Sequence, residues 1–266
     1  MHDVVREMAI WIASDPEKHK EIWIVQAPKV KNWRDVRKIS CICRNIENIS
    51  GFRGLKESVR VLTLPTTCDL RRLTLEGCRM GEIKIERTIS SLNNSPTIPC
   101  FSNRYGIYIG GCNHLKDLAW LVFAPNLVDL KVGSSNQLDD IINEEKATSV
   151  TGGHAGSIVP FQKLRRLWLS HLPMLKSIYW SPLPFPCINK IIIEDCPKLR
   201  KLPLGSESVV SNQELIIEYD EEEWIKEVAW EDEATQLRFL PSCKLQARPP
   251  PLGATSTSTF IATAIG

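Results

Sequence analysis

Six stretches of this chain repeat one arrangement of apolar residues: one, then two variable positions, a second, one variable position, and a third. They are Val36-x-x-Ile39-x-Cys41, Leu70-x-x-Leu73-x-Leu75, Arg104-x-x-Ile107-x-Ile109 (its first aliphatic replaced), Leu127-x-x-Leu130-x-Val132, Leu164-x-x-Leu167-x-Leu169 and Ile188-x-x-Ile191-x-Ile193. The final residues alternate with the period of a strand. Positions four and six of each copy therefore face one way, and positions three, five and seven face the other. A single short strand buries too little apolar surface to fold alone, so the copies must stack and share one core. Three copies continue with cysteine at the ninth position, Cys78, Cys112 and Cys196. A thiol there points inward and hydrogen-bonds weakly to backbone at the turn. No Cys-x-x-Cys pair occurs to suggest a metal site.

This arrangement is the leucine-rich-repeat signature, in which each unit is a strand, a turn and a variable return. The copies start at Val36, Leu70, Arg104, Leu127, Leu164 and Ile188, so the returns differ in length. One long return holds a polar insert from Glu144 to Pro160 with Gly152, Gly153 and Gly156, read as a mobile loop. Val59-x-x-Leu62-x-Leu64 also fits the strand pattern but lies too close to Leu70 for a full unit. After Pro203 the pattern fades, with Leu215-Ile216-Ile217 as a candidate last strand. The run Asp220-Glu221-Glu222-Glu223 followed by Trp224, Val228 and Trp230 reads as an acidic capping helix, because carboxylates favour a helix N-terminus. Ahead of the repeats, Val5, Met8, Ala9 and Ile12 form one helical stripe between Asp3 and Ser14-Asp15-Pro16, and Glu21 to Val25 reads as a short strand. The expected organisation is 1–30 as a leading remnant, 31–218 as repeats, 219–245 as a capping helix region and 246–266 as a disordered tail.

Composition narrows the function classes. The 266 residues carry a formal net charge of +2, which provides no electrostatic drive toward nucleic acid. Nine scattered cysteines cannot all pair, and no secretory leader is legible at Met1-His2-Asp3-Val4, which points to a reducing compartment. No apolar run approaches a membrane span. The expected setting is cytoplasmic, with peripheral attachment at the plasma membrane as the second setting. His2, His19, His114, His154 and His171 lie in separate segments, and neither G-x-S-x-G nor H-E-x-x-H occurs, so no catalytic residue, no metal site and no enzyme activity are expected.

The outward positions carry the functional reading. Position five across the last five copies reads Thr74, Tyr108, Lys131, Trp168 and Ile192, and position three reads Arg72, Gly106, Asp129, Arg166 and Lys190. Trp168 and Ile192 should stand side by side, exposed, with Arg166 and Lys190 beside them; Leu167, Leu169, Ile191 and Ile193 already fill the inward positions, so neither Trp168 nor Ile192 is needed in the core. Aromatic and aliphatic groups next to arginine are common in protein contacts. The candidate partner-binding set is therefore Tyr108, Lys131, Arg166, Trp168, Lys190 and Ile192. Two covers for Trp168 and Ile192 are open: a partner protein, or the chain's own insert or C-terminal helix.

Several strings resemble one family. Met1-His2-Asp3-Val4-Val5-Arg6-Glu7-Met8-Ala9 is similar to the MHD segment that closes the NB-ARC module of plant disease resistance proteins, and Trp11-Ile12-Ala13-Ser14 to its coiled-coil subclass. Cys112-Asn113-His114-Leu115-Lys116-Asp117-Leu118, Leu175-Lys176-Ser177-Ile178-Tyr179-Trp180 and Cys196-Pro197-Lys198-Leu199 resemble its C-terminal repeats. The resemblance implies an α/β irregular leucine-rich-repeat solenoid behind a winged-helix remnant. It also implies a protein-recognition role in innate immunity, toward a pathogen effector, a guarded host protein or a full-length receptor. The family holds ADP or ATP, and its MHD histidine would correspond to His2 with Asp3 beside it. No G-x-x-x-x-G-K-[ST] loop occurs in this sequence, so no bound nucleotide is expected and His2 and Asp3 are vestigial. The chain also reads as jumping from early to late repeats between Ser50 and Ser58. A non-functional or regulatory fragment that carries the family's labels only by inheritance is the alternative.

Overall fold

The computed structural model describes residues 21–24, 38–42, 61–65, 71–78, 81–86, 105–151, 159–209 and 214–246. Within them the chain is an α/β fold built on a parallel sheet with few helices. Nine strands lie side by side in chain order: β1 (Glu21–Ile24), β2 (Lys38–Ile42), β4 (Arg72–Glu76), β6 (Tyr105–Gly110), β7 (Leu127–Gly133), β8 (Arg166–Ser170), β9 (Lys190–Glu194), β10 (Ile216–Tyr219) and β11 (Cys243–Leu245). Two more strands, β3 (Val61–Pro65) and β5 (Glu82–Glu86), pair only with each other. Three short helices follow: α1 (Glu144–Thr151), α2 (Glu222–Lys226) and α3 (Glu233–Phe239).

Each of the six pattern copies supplies one strand of the main sheet, and the pairing holds them in register. Ile39, Leu73, Ile107, Leu130, Leu167, Ile191 and Ile217 form one row across the strands. Cys41, Leu75, Ile109, Val132, Leu169, Ile193 and Tyr219 form the second. From Leu73 and Leu75 onward both rows are buried. Each such aliphatic gains roughly 1.5–3 kcal/mol by leaving water.

The turn after each strand is as regular as the strand. Its eighth position has a left-handed backbone in five copies: Gly77 (φ 63°), Gly111 (66°), Ser134 (50°), His171 (52°) and Asp195 (49°). In this conformation the backbone N–H still reaches the next strand while the chain leaves the sheet. Gly77 donates to the Gly110 carbonyl at 2.8 Å, Gly111 to Gly133 at 3.0 Å, Ser134 to Ser170 at 2.9 Å and His171 to Glu194 at 2.8 Å. Glycine adopts this region freely, whereas Ser134, His171 and Asp195 hold it against a steric penalty of about 1–2 kcal/mol each.

One residue later the ninth-position side chain turns inward. Cys78, Cys112 and Cys196 are buried, and their thiols lie 3.6, 3.6 and 3.3 Å from the Glu76, Gly110 and Glu194 carbonyls. Hydrogen bonding with Cys78 and burial push the Cys112 thiol pKa up, and burial pushes that of Cys196 up to about 12. Ser135 fills the position in the Leu127 copy and donates to the Gly133 carbonyl at 3.2 Å, while Leu172 fills it in the Leu164 copy.

Four expectations change. The insert read as a mobile loop begins with α1, where the Asn143 side chain accepts the Lys146 backbone N–H at 3.2 Å and Ala147 is fully buried. With Ala147 its sole buried residue, this helix has no apolar stripe for a periodicity reading to find; residues 152–158 lie outside the described set. The 219–245 region is not one capping helix: α2 and α3 lead into β11, which pairs with β10 and extends the sheet. Trp224 anchors this return, its indole N–H donating to the Leu199 carbonyl at 2.7 Å. The strand expected near Glu21 to Val25 is β1, and it pairs with β2, so the sheet begins inside the 1–30 segment. The apolar pattern at Leu62 and Leu64 is a strand, but it joins β5 in the second sheet and not the main one. His2, Asp3, the helix expected at 3–13, the 50–58 jump and residues 247–266 lie outside the described residues.

Candidate functional site: the outward face of the sheet

The same pairing that aligns the core aligns the outward row. Thr74, Tyr108, Lys131, Trp168, Ile192, Glu218 and Lys244 stand opposite one another across seven neighbouring strands. All six candidate residues lie on this face. Tyr108, Lys131, Trp168 and Ile192 are consecutive in the row, while Arg166 and Lys190 are paired neighbours one step along the strands. Parallel strands lie about 4.8 Å apart, so such side chains touch their neighbours although their residues are far apart in sequence.

The contacts are specific. The Lys131 ammonium lies 3.5 Å from the centre of the Trp168 ring and 5.7 Å from that of Tyr108. Such a cation on an indole contributes about 0.5–1 kcal/mol at an exposed site. The Trp168 indole N–H donates to the Glu194 carboxylate at 3.0 Å. Gly110 and Gly133 occupy the seventh positions of their copies, and a Cβ on Gly110 would stand 2.6 Å from the Tyr108 hydroxyl. Glycine there lets the tyrosine lie across the strand. Burial, with Glu76 and Cys112 adding to it, raises the Tyr108 pKa above its ordinary value, so the phenol stays neutral at neutral pH.

The expected exposure of Trp168 and Ile192 is corrected to half-burial. Lys131 lies over the Trp168 ring and covers part of it. Arg166 and Lys190 are not free cations either: Arg166 pairs with Asp129 at 2.5 Å and Lys190 with Glu218 at 2.8 Å. Glu218 also accepts from the Gln246 side-chain amide at 3.2 Å. The sequence reading left Glu194, Glu218 and Gly110 out of the site. The repeat numbering contained the signal for Glu194, since a seventh-position residue lies diagonally beside the fifth-position residue of the strand before it.

Among the described residues no group of three or more His, Cys, Asp or Glu is placed to hold a metal ion, and no helix is long and apolar enough to cross a membrane. What remains on this face is amphipathic: an aromatic and aliphatic strip bordered by ion pairs.

No protein-family model matches the chain. Individual plant proteins do. Disease resistance protein RPS5 of Arabidopsis thaliana is 54% identical over 213 residues, a match covering 78% of this chain and 24% of that protein. Probable disease resistance protein At1g12290 from the same plant is 55% identical over 192 residues, covering 71% of this chain and 20% of that protein. Probable disease resistance protein At4g14610, also from Arabidopsis thaliana, is 36% identical over 365 positions, covering 92% of this chain and 50% of that protein. Over 71–92% of its length the chain is thus similar to plant disease resistance proteins, at 36–55% identity. It spans between 20% and 50% of the length of these three relatives. The 365 positions of the third match exceed the 266 residues of this chain, so that relative holds sequence inside the matched span that has no counterpart here.

Proposed function

We propose that these 266 residues are a leucine-rich-repeat solenoid that recognises a protein partner in plant defence through the outward face of its sheet and does not itself bind nucleotide. One observation carries the reading. Tyr108, Lys131, Trp168 and Ile192 form a continuous half-buried strip on four adjacent strands, while the core beneath is already filled by Leu167, Leu169, Ile191 and Ile193. Large rigid aromatics that the fold does not use, ringed by satisfied polar groups, resemble the centre and rim of a protein interface. The partner classes that fit are a pathogen protein, a host protein under surveillance or another receptor of the family. No G-x-x-x-x-G-K-[ST] loop occurs within these 266 residues, so the reading assigns them no nucleotide binding of their own.

The test compares the chain with its Trp168→Ala and Ile192→Asp variants as bait in extracts of infected leaf tissue. The reading expects specific proteins retained by the parent and lost by both variants, with melting temperatures little changed. An unchanged retained set with native-like melting would overturn it. Calorimetry with ADP and ATP is expected to give no binding heat, and micromolar affinity abolished by His2→Ala would remove the claim about the nucleotide.

A further inference from the structure

The outward face is polarised along its strands. All strands of the main sheet are parallel, so equivalent repeat positions line up along each rim. From β4 onward, positions two and three at the strand starts hold Arg71, Arg72, Arg165, Arg166 and Lys190 against one carboxylate, Asp129. Positions seven and eight at the strand ends hold Glu76, Glu194, Asp195, Asp220 and Glu221 and, among the described residues, no lysine or arginine. The strip of Tyr108, Lys131, Trp168 and Ile192 thus runs between a basic rim and an acidic one. The basic rim has two equivalent corners. Arg72 on β4 and Arg166 on β8 share position three, and three strand spacings of about 4.8 Å set their backbones about 14 Å apart. Between them Gly106 adds no side chain, and a Cβ there would meet nothing closer than 3.8 Å, so the rim is low at its middle. All four arginines are exposed. Arg166 holds Asp129 in an exposed pair that is weak enough to open, and no described carboxylate holds Arg71, Arg72 or Arg165.

We propose that the partner contacts this face through an acidic amphipathic segment that lies across β4 to β9, its apolar side on the strip and its carboxylates on the two arginine corners. The inference rests on the outward face being the contact surface and adds the chemistry that the contact demands. Charge complementarity selects this occupant. A guanidinium takes a carboxylate through two parallel hydrogen bonds, and two such pairs fix both ends of a segment. A helix covers about 14 Å in roughly nine residues and an extended chain in roughly four, so acidic residues at either spacing reach both corners. The apolar strip by itself accepts a segment in either orientation. The rims distinguish them, because carboxylates turned toward the strand ends would meet Glu76, Glu194 and Asp195. A wholly basic segment is repelled at the arginine corners. An extended polyanion such as a nucleic acid fits less well, since it has no apolar side for Trp168 and Ile192 and meets the acidic rim wherever it crosses the strip.

The test selects random peptides displayed on phage against the full chain and compares their composition with that of the unselected library. The proposal expects enrichment in aspartate and glutamate together with aromatic or aliphatic residues. A selected peptide, made synthetically, is expected to bind the Arg72→Glu/Arg165→Glu double variant on the order of tenfold more weakly than the parent, and the Trp168→Ala variant more weakly as well. Both arginines are exposed, so the double variant keeps the parent's melting temperature. The same peptide with its acidic residues changed to lysine is expected to bind the double variant better than it binds the parent, a rescue that a general loss of folding would not produce. Selected peptides that need Trp168 but show no acidic enrichment and no loss on the double variant would overturn the inference and leave the outward face standing as the contact. Peptides indifferent to Trp168→Ala would remove the contact surface and the inference together. Saturable binding of random single-stranded RNA that needs Arg72 and Arg165 but not Trp168 would overturn it in favour of a nucleic acid.

Discussion

The two faces of the same strands follow different rules. On the inward face the chemistry hardly varies: Leu73, Ile107, Leu130, Leu167, Ile191 and Ile217 are interchangeable aliphatics, all buried. On the outward face it changes at every strand, from Thr74 to Tyr108, Lys131, Trp168, Ile192 and Glu218. The inward rows answer only to packing, and any aliphatic of similar volume satisfies them. The outward residues are released from that demand, so what they carry can answer to a partner. Even so, the outward face is not loose. Lys131 lies on Trp168, Trp168 bonds Glu194, and both flanking cations are paired, so the candidate surface is ordered before anything binds.

The contrast is tested most strongly from within. Leu169→Ala removes a fully buried side chain from the middle of an inward row and is expected to lower unfolding free energy by about 2–5 kcal/mol in urea titration. A loss under about 1 kcal/mol would mean that the stack repacks freely and that the two faces differ less than argued.

The inward turn thiols give a pH signature of their own. The folded Cys196 thiol keeps its proton up to about pH 12, whereas in the unfolded chain it loses it near its ordinary value of 9.0. Above about pH 9 the unfolded state binds fewer protons, so stability present at neutral pH falls as pH rises toward 12, at up to about 1.4 kcal/mol per unit. Cys112 and Cys243 shift in the same direction. Urea midpoints at about pH 8, 9 and 10 are expected to decline, and Cys196→Ala to decline less steeply. Parallel slopes for the two proteins would remove Cys196 from the account.

On the outward face the effects shrink. Trp168→Ala deletes a half-buried ring, its contact with Lys131 and its bond to Glu194, with an expected loss near 1 kcal/mol. A loss matching that of Leu169→Ala would make Trp168 a core residue and end its candidacy as a contact. Arg166→Ala is the mildest, within about 0.5 kcal/mol, because an exposed ion pair such as Arg166 and Asp129 is screened by water and salt.

The amino-acid pattern alone was enough to number the six copies and assign the inward residues of the five from Leu70 onward, because a period of two against a repeating aliphatic spacing leaves one consistent face. It also located the buried thiols of Cys78, Cys112 and Cys196, since the ninth position has a fixed direction after the strand. Tertiary structure decided what no local pattern encodes. Helix α1 hides in a polar insert because it buries little beyond Ala147 against its neighbours. Strands β3 and β5 leave the main sheet because their partners are each other, a choice made between residues such as Leu62 and Ile83 that lie in different returns. The outward face depends on this most of all. Lys131 meets Trp168, and Trp168 meets Glu194, only once strands from separate repeats lie side by side. Alternation along a strand tells each side chain which way to face, while its neighbours across the sheet come from other repeats, and only the folded stack sets their distance.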